Sequence, residues 1–361
     1  MIIMRKGASE AEIMNVVGDL KKHGLSADIS TGEIRTVIGI IGDETRVSTT
    51  HLETLPGVKE VRLVETPYKL INREYSGLFD GKTESRVVKV GKVRIGTGDP
   101  VFMAGPCAIE SREQLMTIAE CVKAAGADVL RGGVFKPRTS VHSFQGLGSS
   151  DQGAREALGW LKEAGEKYDM PVITEIRGEA QVSLVAEYAD ILQIGSRNMY
   201  NQDLLIKAAR TGKPVLLKRH FGASIEEFLS FAEYIAASGN KDIILCERGI
   251  VPVGRGKSFT RYTLDLQAVP VVQKETYLPI IVDPSHAAGR RDLIMTMSLS
   301  AIAAGASGLE IEVHNNAKEA RCDGQQMITS GELGYLIEAC KTLNQNLIPV
   351  RKTALADRCL S

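Results

Sequence analysis

Residues 101–133 read VFMAGPCAIESREQLMTIAECVKAAGADVLRGG. An apolar run, VFMAG, gives way to an amphipathic stretch, REQLMTIAECVKAAG, and a second apolar run, DVLRGG, closes the unit. Helical periodicity between two continuously apolar ends predicts strand, helix, strand. Strands without polar alternation need cover on both faces, so the sheet they form is parallel.

The unit recurs. Apolar runs begin near 101, 128, 171, 190, 214, 242, 278 and 308 (VFMAG, DVLRGG, PVITEI, DILQIGS, PVLLKR, DIILCER, LPIIVD, GLEIEVH). Most intervals hold a helix such as REALGWLKEAGEKY, IEEFLSFAEYIAASG or RDLIMTMSLSAIAAG. Eight such units over about 250 residues predict a (β/α)8 TIM barrel. The competing doubly wound sheet needs a reversal of strand order, and no glycine-rich dinucleotide turn marks one.

Residues 1–70 follow another pattern. After the apolar Met1–Met4, Ser9 caps a helix through EAEIMNVVGDLKKHG, which Gly24 stops. LSADIS and IRTVIGIIG read as strands around Thr31-Gly32, Val47–Leu55 as a weaker helix, and VKEVRLVE as a half-buried strand. The order βαββαβ is a split βαβ domain, α/β like the barrel. It carries no catalytic constellation and reads as a regulatory or assembly domain, whose apolar TVIGII lacks obvious cover. Residues 71–85, INREYSGLFDGKTES, suit a linker. The remainder, 86–350, is the barrel domain, opened by a hairpin, RVVKVGKVRIG.

Across 361 residues, 43% are apolar and 24% charged, with Lys+Arg and Asp+Glu at 44 each. Zero net charge argues against a nucleic-acid or anionic-membrane partner. No apolar run approaches a membrane span, the start lacks a signal-peptide pattern, and the six scattered cysteines look like reduced thiols. Cytoplasmic location is the expectation.

In a barrel of this type the C-terminal strand ends share one mouth. Read in order they carry Cys107, Arg131, Glu175, Arg197, Lys218, Glu247 with Arg248, His286, and Glu312 with His314. The stretch LRGGVFKPRTS adds Lys136, Arg138, Thr139 and Ser140, with no acidic residue within it. Six cations, Arg131, Lys136, Arg138, Arg197, Lys218 and Arg248, exceed what one monophosphate needs and fit two phosphorylated substrates. Gly132 and Gly133 would let a ligand approach the backbone. Cys107, His286, Glu312 and Asp323 offer a soft thiolate, an imidazole and two carboxylates, a donor set for Mn²⁺, Fe²⁺, Co²⁺ or Zn²⁺. Singly, Cys107 also reads as a buried small hydrophobe, His286 as a helix cap and Asp323 as a turn former.

These residues lie in AGPCAIES, RGGVFKPRTS with SFQGLG, QIGSRN, PVLLKR, CERG, TLDLQAVP, DPSHAAGRRDL, and EIEVH with CDGQQ. In collinear order they resemble the type I 3-deoxy-D-arabino-heptulosonate 7-phosphate (DAHP) synthases. Residues 1–70 resemble the ferredoxin-like extension of one branch. The resemblance implies condensation of phosphoenolpyruvate with erythrose 4-phosphate at the head of aromatic amino-acid (shikimate) biosynthesis. It implies a divalent metal on Cys107, His286, Glu312 and Asp323, where Cys107 is a ligand and not a nucleophile. Arg131 and Lys218 would hold the phosphoenolpyruvate carboxylate region, Arg197 and Arg248 its phosphate, and Lys136 both substrates. Lys136, Cys107 and His286 would be the catalytic set. Arg138 and Thr139, with Ser140, would bind the aldose phosphate. A homodimer or homotetramer and feedback inhibition by tyrosine or phenylalanine are further implications.

The sister octulosonate 8-phosphate synthases resemble KANRSS where this chain has KPRTS, which favours the four-carbon aldose. Departures from the family pattern are Val141, His220, and IVPVGRGKSF with Arg255 and Lys257 after CERG. They bear on the aldose and leave a paralogous synthase using another phosphorylated aldose as the alternative. A barrel without catalysis, kept for binding or regulation, is the alternative of another class.

Overall fold

A computed structural model describes residues 1–31, 35–62, 66–73, 85–136, 142–252 and 259–356. The chain divides into two compact units, Met1–Glu84 with Lys274–Tyr277, and Ser85–Gln273 with Leu278–Ser361. Most of the expected linker, residues 74–84, lies outside the described residues. No helix among the described residues is long and apolar enough to cross a membrane.

In the first unit, strands β1 (Ile2–Met4), β2 (Ser26–Thr31), β3 (Thr36–Ile41) and β4 (Val58–Val61) form an antiparallel sheet ordered β2-β3-β1-β4. Helix Glu10–Lys22 starts at a reciprocal cap, the Ser9 hydroxyl accepting from Glu12 N–H and the Glu12 carboxylate from Ser9 N–H. Ile2, Met4, Ile38 and Ile40 pack against Val16, Val17, Leu20 and Leu52 from the helical side. The opposite face is also covered, Ile3 and Val37 being buried with Met1 and packed against Leu70. This corrects the reading of TVIGII as uncovered. It is the inner strand β3, buried through Ile40, with only its last residue, Ile41, at 51% exposure.

In the second unit eight parallel strands close into a barrel. They are β7 (Val101–Gly105), β8 (Val129–Arg131), β9 (Val172–Ile176), β10 (Ile191–Ile194), β11 (Val215–Lys218), β12 (Ile243–Glu247), β13 (Ile280–Val282) and β14 (Gly308–Glu312). Each pairs with its sequence neighbour, and β14 returns to β7. The hairpin β5 (Val88–Val90) and β6 (Val93–Ile95) seats Val88, Val90 and Ile95 among Val101, Val129, Ile173, Ile191, Leu216, Ile244 and Ile281. It therefore plugs the N-terminal end of the barrel.

Side chains two apart on a strand share a face. Val129 is followed on that inner face by Arg131, Ile173 by Glu175, Ile191 by Gln193, Leu216 by Lys218 and Ile281 by Asp283. The barrel interior thus changes from hydrocarbon to charge within one pleat repeat. Truncating a floor residue such as Ile244 to alanine would cost about 2–5 kcal/mol.

Candidate active site

The polar layer is built from pairs. Arg131, 3% exposed, donates from Nη1 to Glu312 Oε1 at 2.8 Å and to the Pro106 carbonyl at 3.1 Å. Its Nε lies 3.2 Å from Glu310 Oε1, an ion contact too bent for a hydrogen bond. Lys218 Nζ donates to Asp283 Oδ2 at 2.6 Å and Glu310 Oε1 at 2.8 Å. Lys136 Nζ donates to the Cys107 carbonyl at 3.2 Å. Burial opposes the charge on all three. Glu312 and Glu310 at Arg131, Asp283 and Glu310 at Lys218, and Cys107, Cys322 and Glu312 at Lys136 outweigh it, so all three stay protonated. The cation cluster that looks uncompensated in LRGGVFKPRTS is therefore compensated at Arg131, by carboxylates from β14 that sequence distance conceals.

Above this layer lies a cavity of about 290 Å³, whose cationic lining among the described residues is Arg131, Lys136, Arg197, Lys218, Arg248 and Arg261. Arg197 follows β10 in a short turn, Ser196–Asn198, and is exposed. Arg248 is 6% exposed, with its guanidinium 4.3 Å from the centroid of the Tyr262 ring. Its Nη1 has no hydrogen-bond partner among the described residues. Glu175 also lines the cavity, and a Cβ at Gly195 would stand 1.9 Å from Glu175 Oε1, so glycine there makes room for the carboxylate. Neither Gly132 nor Gly133 is among the described residues that line this cavity, and protein atoms already fill the space a Cβ would need. A Cβ on Gly133 would meet the Cys107 carbonyl at 2.3 Å, and one on Gly132 would press on Ile109 at 3.0 Å.

On one side, donor atoms of Cys107, Glu312 and Asp323 lie within 4.8 Å of one another. The Cys107 thiol donates to Asp323 Oδ2 at 3.5 Å. His286 Nε2 stands 3.4 Å from Glu312 Oε1, and its Nδ1 is 2.7 Å from Asp283 Oδ2. His286 is not the helix cap. Asp283 caps Pro284–Ala288 by accepting from His286 N–H. Asp323, at φ 49°, does form a turn, and the same turn aims its carboxylate at the thiol. Burial opposes the Glu312 charge, but His286, Arg131 and Lys136 outweigh it and hold the carboxyl below its ordinary range. Burial, then Cys322 and Glu312, push the Cys107 thiol up. A cation held by these carboxylates would reverse that, since coordination deprotonates a thiol. The mixed sulfur, nitrogen and oxygen donors fit a borderline divalent ion, and the Asp283 contact orients the imidazole as second-layer carboxylates do at metal sites.

A model of the DAHP synthetase I family matches residues 77–347, and one of the DAHP synthase ferredoxin-like domain matches residues 1–66. The chain belongs to the DAHP synthetase I family. It is 47% identical over 343 residues to the phospho-2-dehydro-3-deoxyheptonate aldolase of Thermotoga maritima, covering 95% of this chain and 97% of that one. A crystal structure of a T. maritima phospho-2-dehydro-3-deoxyheptonate aldolase (DAHP synthase) aligns with TM-score 0.74 at 46% identity, over 96% of this chain and 97% of that one. The 2-dehydro-3-deoxyphosphooctonate aldolase of Pelobacter propionicus is 31% identical, over 72% of this chain and 98% of its own length.

Two strand-end residues turn away from the cavity of this family member. Glu247 follows the inward Cys246 and so faces outward, where it accepts from Arg219 Nη1 at 2.9 Å and Gly249 N–H at 2.6 Å. His314 Nε2 contacts Gln114 at 3.1 Å, behind β14. His220 lies between Tyr200 and Phe221, its Nδ1 accepting from Gly222 N–H at 3.1 Å. Partial burial, then Arg248, lower its pKa. Arg138, Thr139, Ser140, Val141, Arg255 and Lys257 lie outside the described residues. Asp283, Glu310, Arg261 and Gln326 were missed from sequence. The inward register from Ile281 and Glu312 locates Asp283 and Glu310. Arg261, which reaches Gln326 Oε1 at 3.3 Å, lies on a loop, and Gln326, which donates to Glu312 Oε2 at 2.6 Å, in the single 3-10 turn Gly324–Gln326, neither with such a signal.

Proposed function

We propose that this chain is a 3-deoxy-7-phosphoheptulonate synthase. It condenses phosphoenolpyruvate with erythrose 4-phosphate and water, giving 3-deoxy-D-arabino-heptulosonate 7-phosphate and inorganic phosphate, the first step of the shikimate pathway. Family membership carries the reading, through a match that spans both the barrel and the ferredoxin-like domain. The cationic cavity beside a thiol–carboxylate cluster is the chemistry that reaction needs.

Arg131 and Lys218 hold the phosphoenolpyruvate carboxylate region, Arg197 and Arg248 its phosphate, and Lys136 spans both substrates. Arg138, Thr139 and Ser140 take the aldose phosphate. Pinned in this way, C3 of phosphoenolpyruvate faces the aldehyde carbon, and most of the rate gain is alignment and fixed charge. The C2–C3 π pair bonds C3 to the carbonyl carbon, and the aldehyde oxygen takes up a proton. Water adds to C2 with loss of a proton, and the C2 hydroxyl then gives up its proton and becomes the keto group as the C2–O bond breaks to release phosphate. Cys107, His286, Glu312 and Asp323 would hold a divalent ion, Mn²⁺, Fe²⁺, Co²⁺ or Zn²⁺. Such an ion supplies Lewis acidity to the aldehyde oxygen.

Residues 1–70 regulate the barrel in response to tyrosine or phenylalanine, and the chain works in the cytoplasm as a homodimer or homotetramer. The family match to the ferredoxin-like domain supports the regulatory part. Octulosonate-type chemistry is the weaker reading, because that relative leaves over a quarter of this chain unmatched. Phosphate release measured over a panel of four- to six-carbon aldoses, with and without terminal phosphate, tests the assignment. Turnover confined to erythrose 4-phosphate is expected, whereas no turnover with any aldose would leave only a binding role.

A further inference from the structure

Glu310 is a charged residue in a place where barrels put hydrocarbon. It lies on the inward face of β14, two residues before Glu312, and is 1% exposed. Inward positions of such barrels are dominated by branched apolar side chains. A buried carboxylate there is unfavourable unless its pairing is complete. The pairing is incomplete. Oε1 reaches Lys218 Nζ at 2.8 Å and Arg131 Nε at 3.2 Å, while Oε2 has no partner among the described residues.

Each cation has a second partner besides Glu310. Without Glu310, Arg131 keeps Glu312 and the Pro106 carbonyl, and Lys218 keeps Asp283. Asp283 and Glu312 also face His286, at 2.7 and 3.4 Å, whereas the ion contacts of Glu310 among the described residues are to Arg131 and Lys218 alone. Arg131 and Lys218 line the cavity and Glu310 does not. Its charge therefore acts on a ligand from beneath the two side chains that would grip it.

We propose that Glu310 is a positioning residue that weakens the hold of Arg131 and Lys218 on the carboxylate of the enolpyruvyl substrate. It occupies a Lys218 donor that a substrate oxygen would otherwise take, and its charge beside Arg131 and Lys218 offsets positive charge under the cavity. The consequence is a looser substrate complex and easier release of an anionic product. This inference rests on the proposed function, which assigns these two cations to phosphoenolpyruvate.

The test is Glu310→Gln, which keeps the shape and an acceptor at Oε1 but removes the charge. Glu310→Met, which restores a hydrocarbon interior, is the second variant. Binding of phosphoenolpyruvate is measured by calorimetry on the full chain, together with steady-state constants for both substrates and thermal unfolding. Phosphoenolpyruvate should bind about tenfold more tightly in Glu310→Gln, a gain of about 1.4 kcal/mol. The aldose KM should be unchanged, kcat equal or lower, and the melting temperature equal or higher. Unchanged or weaker phosphoenolpyruvate binding in both variants would overturn the inference, as would loss of folding in both, because the carboxylate would then be structural. Lys218→Ala separates the two layers of argument. If it leaves phosphoenolpyruvate affinity intact, the assignment of the cations fails, whereas a loss there without tightening at Glu310→Gln defeats this inference alone.

Discussion

Lys218 and His286 are held by one oxygen, Asp283 Oδ2, at 2.6 Å from Lys218 Nζ and 2.7 Å from His286 Nδ1. The anion grip and the thiol–carboxylate cluster therefore share a support. Burial opposes the Asp283 charge, but His286 and Lys218 outweigh it and hold its pKa well below the ordinary range. Asp283→Asn should disturb both functions at once. Its expected effect is a 10- to 100-fold loss of metal affinity, roughly the cost of losing such a support, with a raised phosphoenolpyruvate KM. Metal titration and initial rates check it, and a change in only one of the two would break the proposed link.

Removal of the metal should stop turnover. Chelator-treated protein is expected to be inactive, with activity returning on addition of Mn²⁺ or Co²⁺. Cys107→Ala should lose metal binding and rate together, because a thiolate donor disappears. Full activity in metal-free protein would refute this.

The cations should divide by substrate. Arg197→Ala should raise the phosphoenolpyruvate KM and leave the aldose KM nearly unchanged, and Arg138→Ala should do the reverse. Loss of one charge-assisted contact of this kind costs roughly 2–5 kcal/mol. Equal shifts of one substrate in both variants would show that the two pockets are wrongly assigned.

Much of this is legible in the sequence itself. The eight apolar runs carry the barrel because each is continuous, and the strand-end rule carries Arg131, Lys218 and Glu312 to one mouth. The rule fails where it ignores the pleat. Glu247 and Lys218 both end strands, yet Glu247 falls on the outward face and Lys218 on the inward one. Charge compensation was invisible for a different reason. Arg131 and Glu312 pair across 181 positions of sequence, a closure that only β14 returning to β7, beside β8, provides. Arg261 belongs to a loop and Gln326 to a single 3-10 turn, whose course no periodicity encodes.

Deleting residues 1–70 should leave substantial turnover and abolish inhibition by tyrosine or phenylalanine. Among the described residues the domain supplies none of the cavity-lining cations and none of the clustered thiol and carboxylate donors. A coupling of about 1–3 kcal/mol between effector and substrate sites suffices for metabolite control. Inhibition that survives the truncation would place the effector site in the barrel.

Phosphate release reads out the identity of the two substrates. Full-length, metal-supplied protein is mixed with phosphoenolpyruvate and either erythrose 4-phosphate, arabinose 5-phosphate or an unphosphorylated tetrose. The account predicts one phosphate released per erythrose 4-phosphate consumed, with little or none from the other two. Faster release with arabinose 5-phosphate, or none with any aldose, would contradict it.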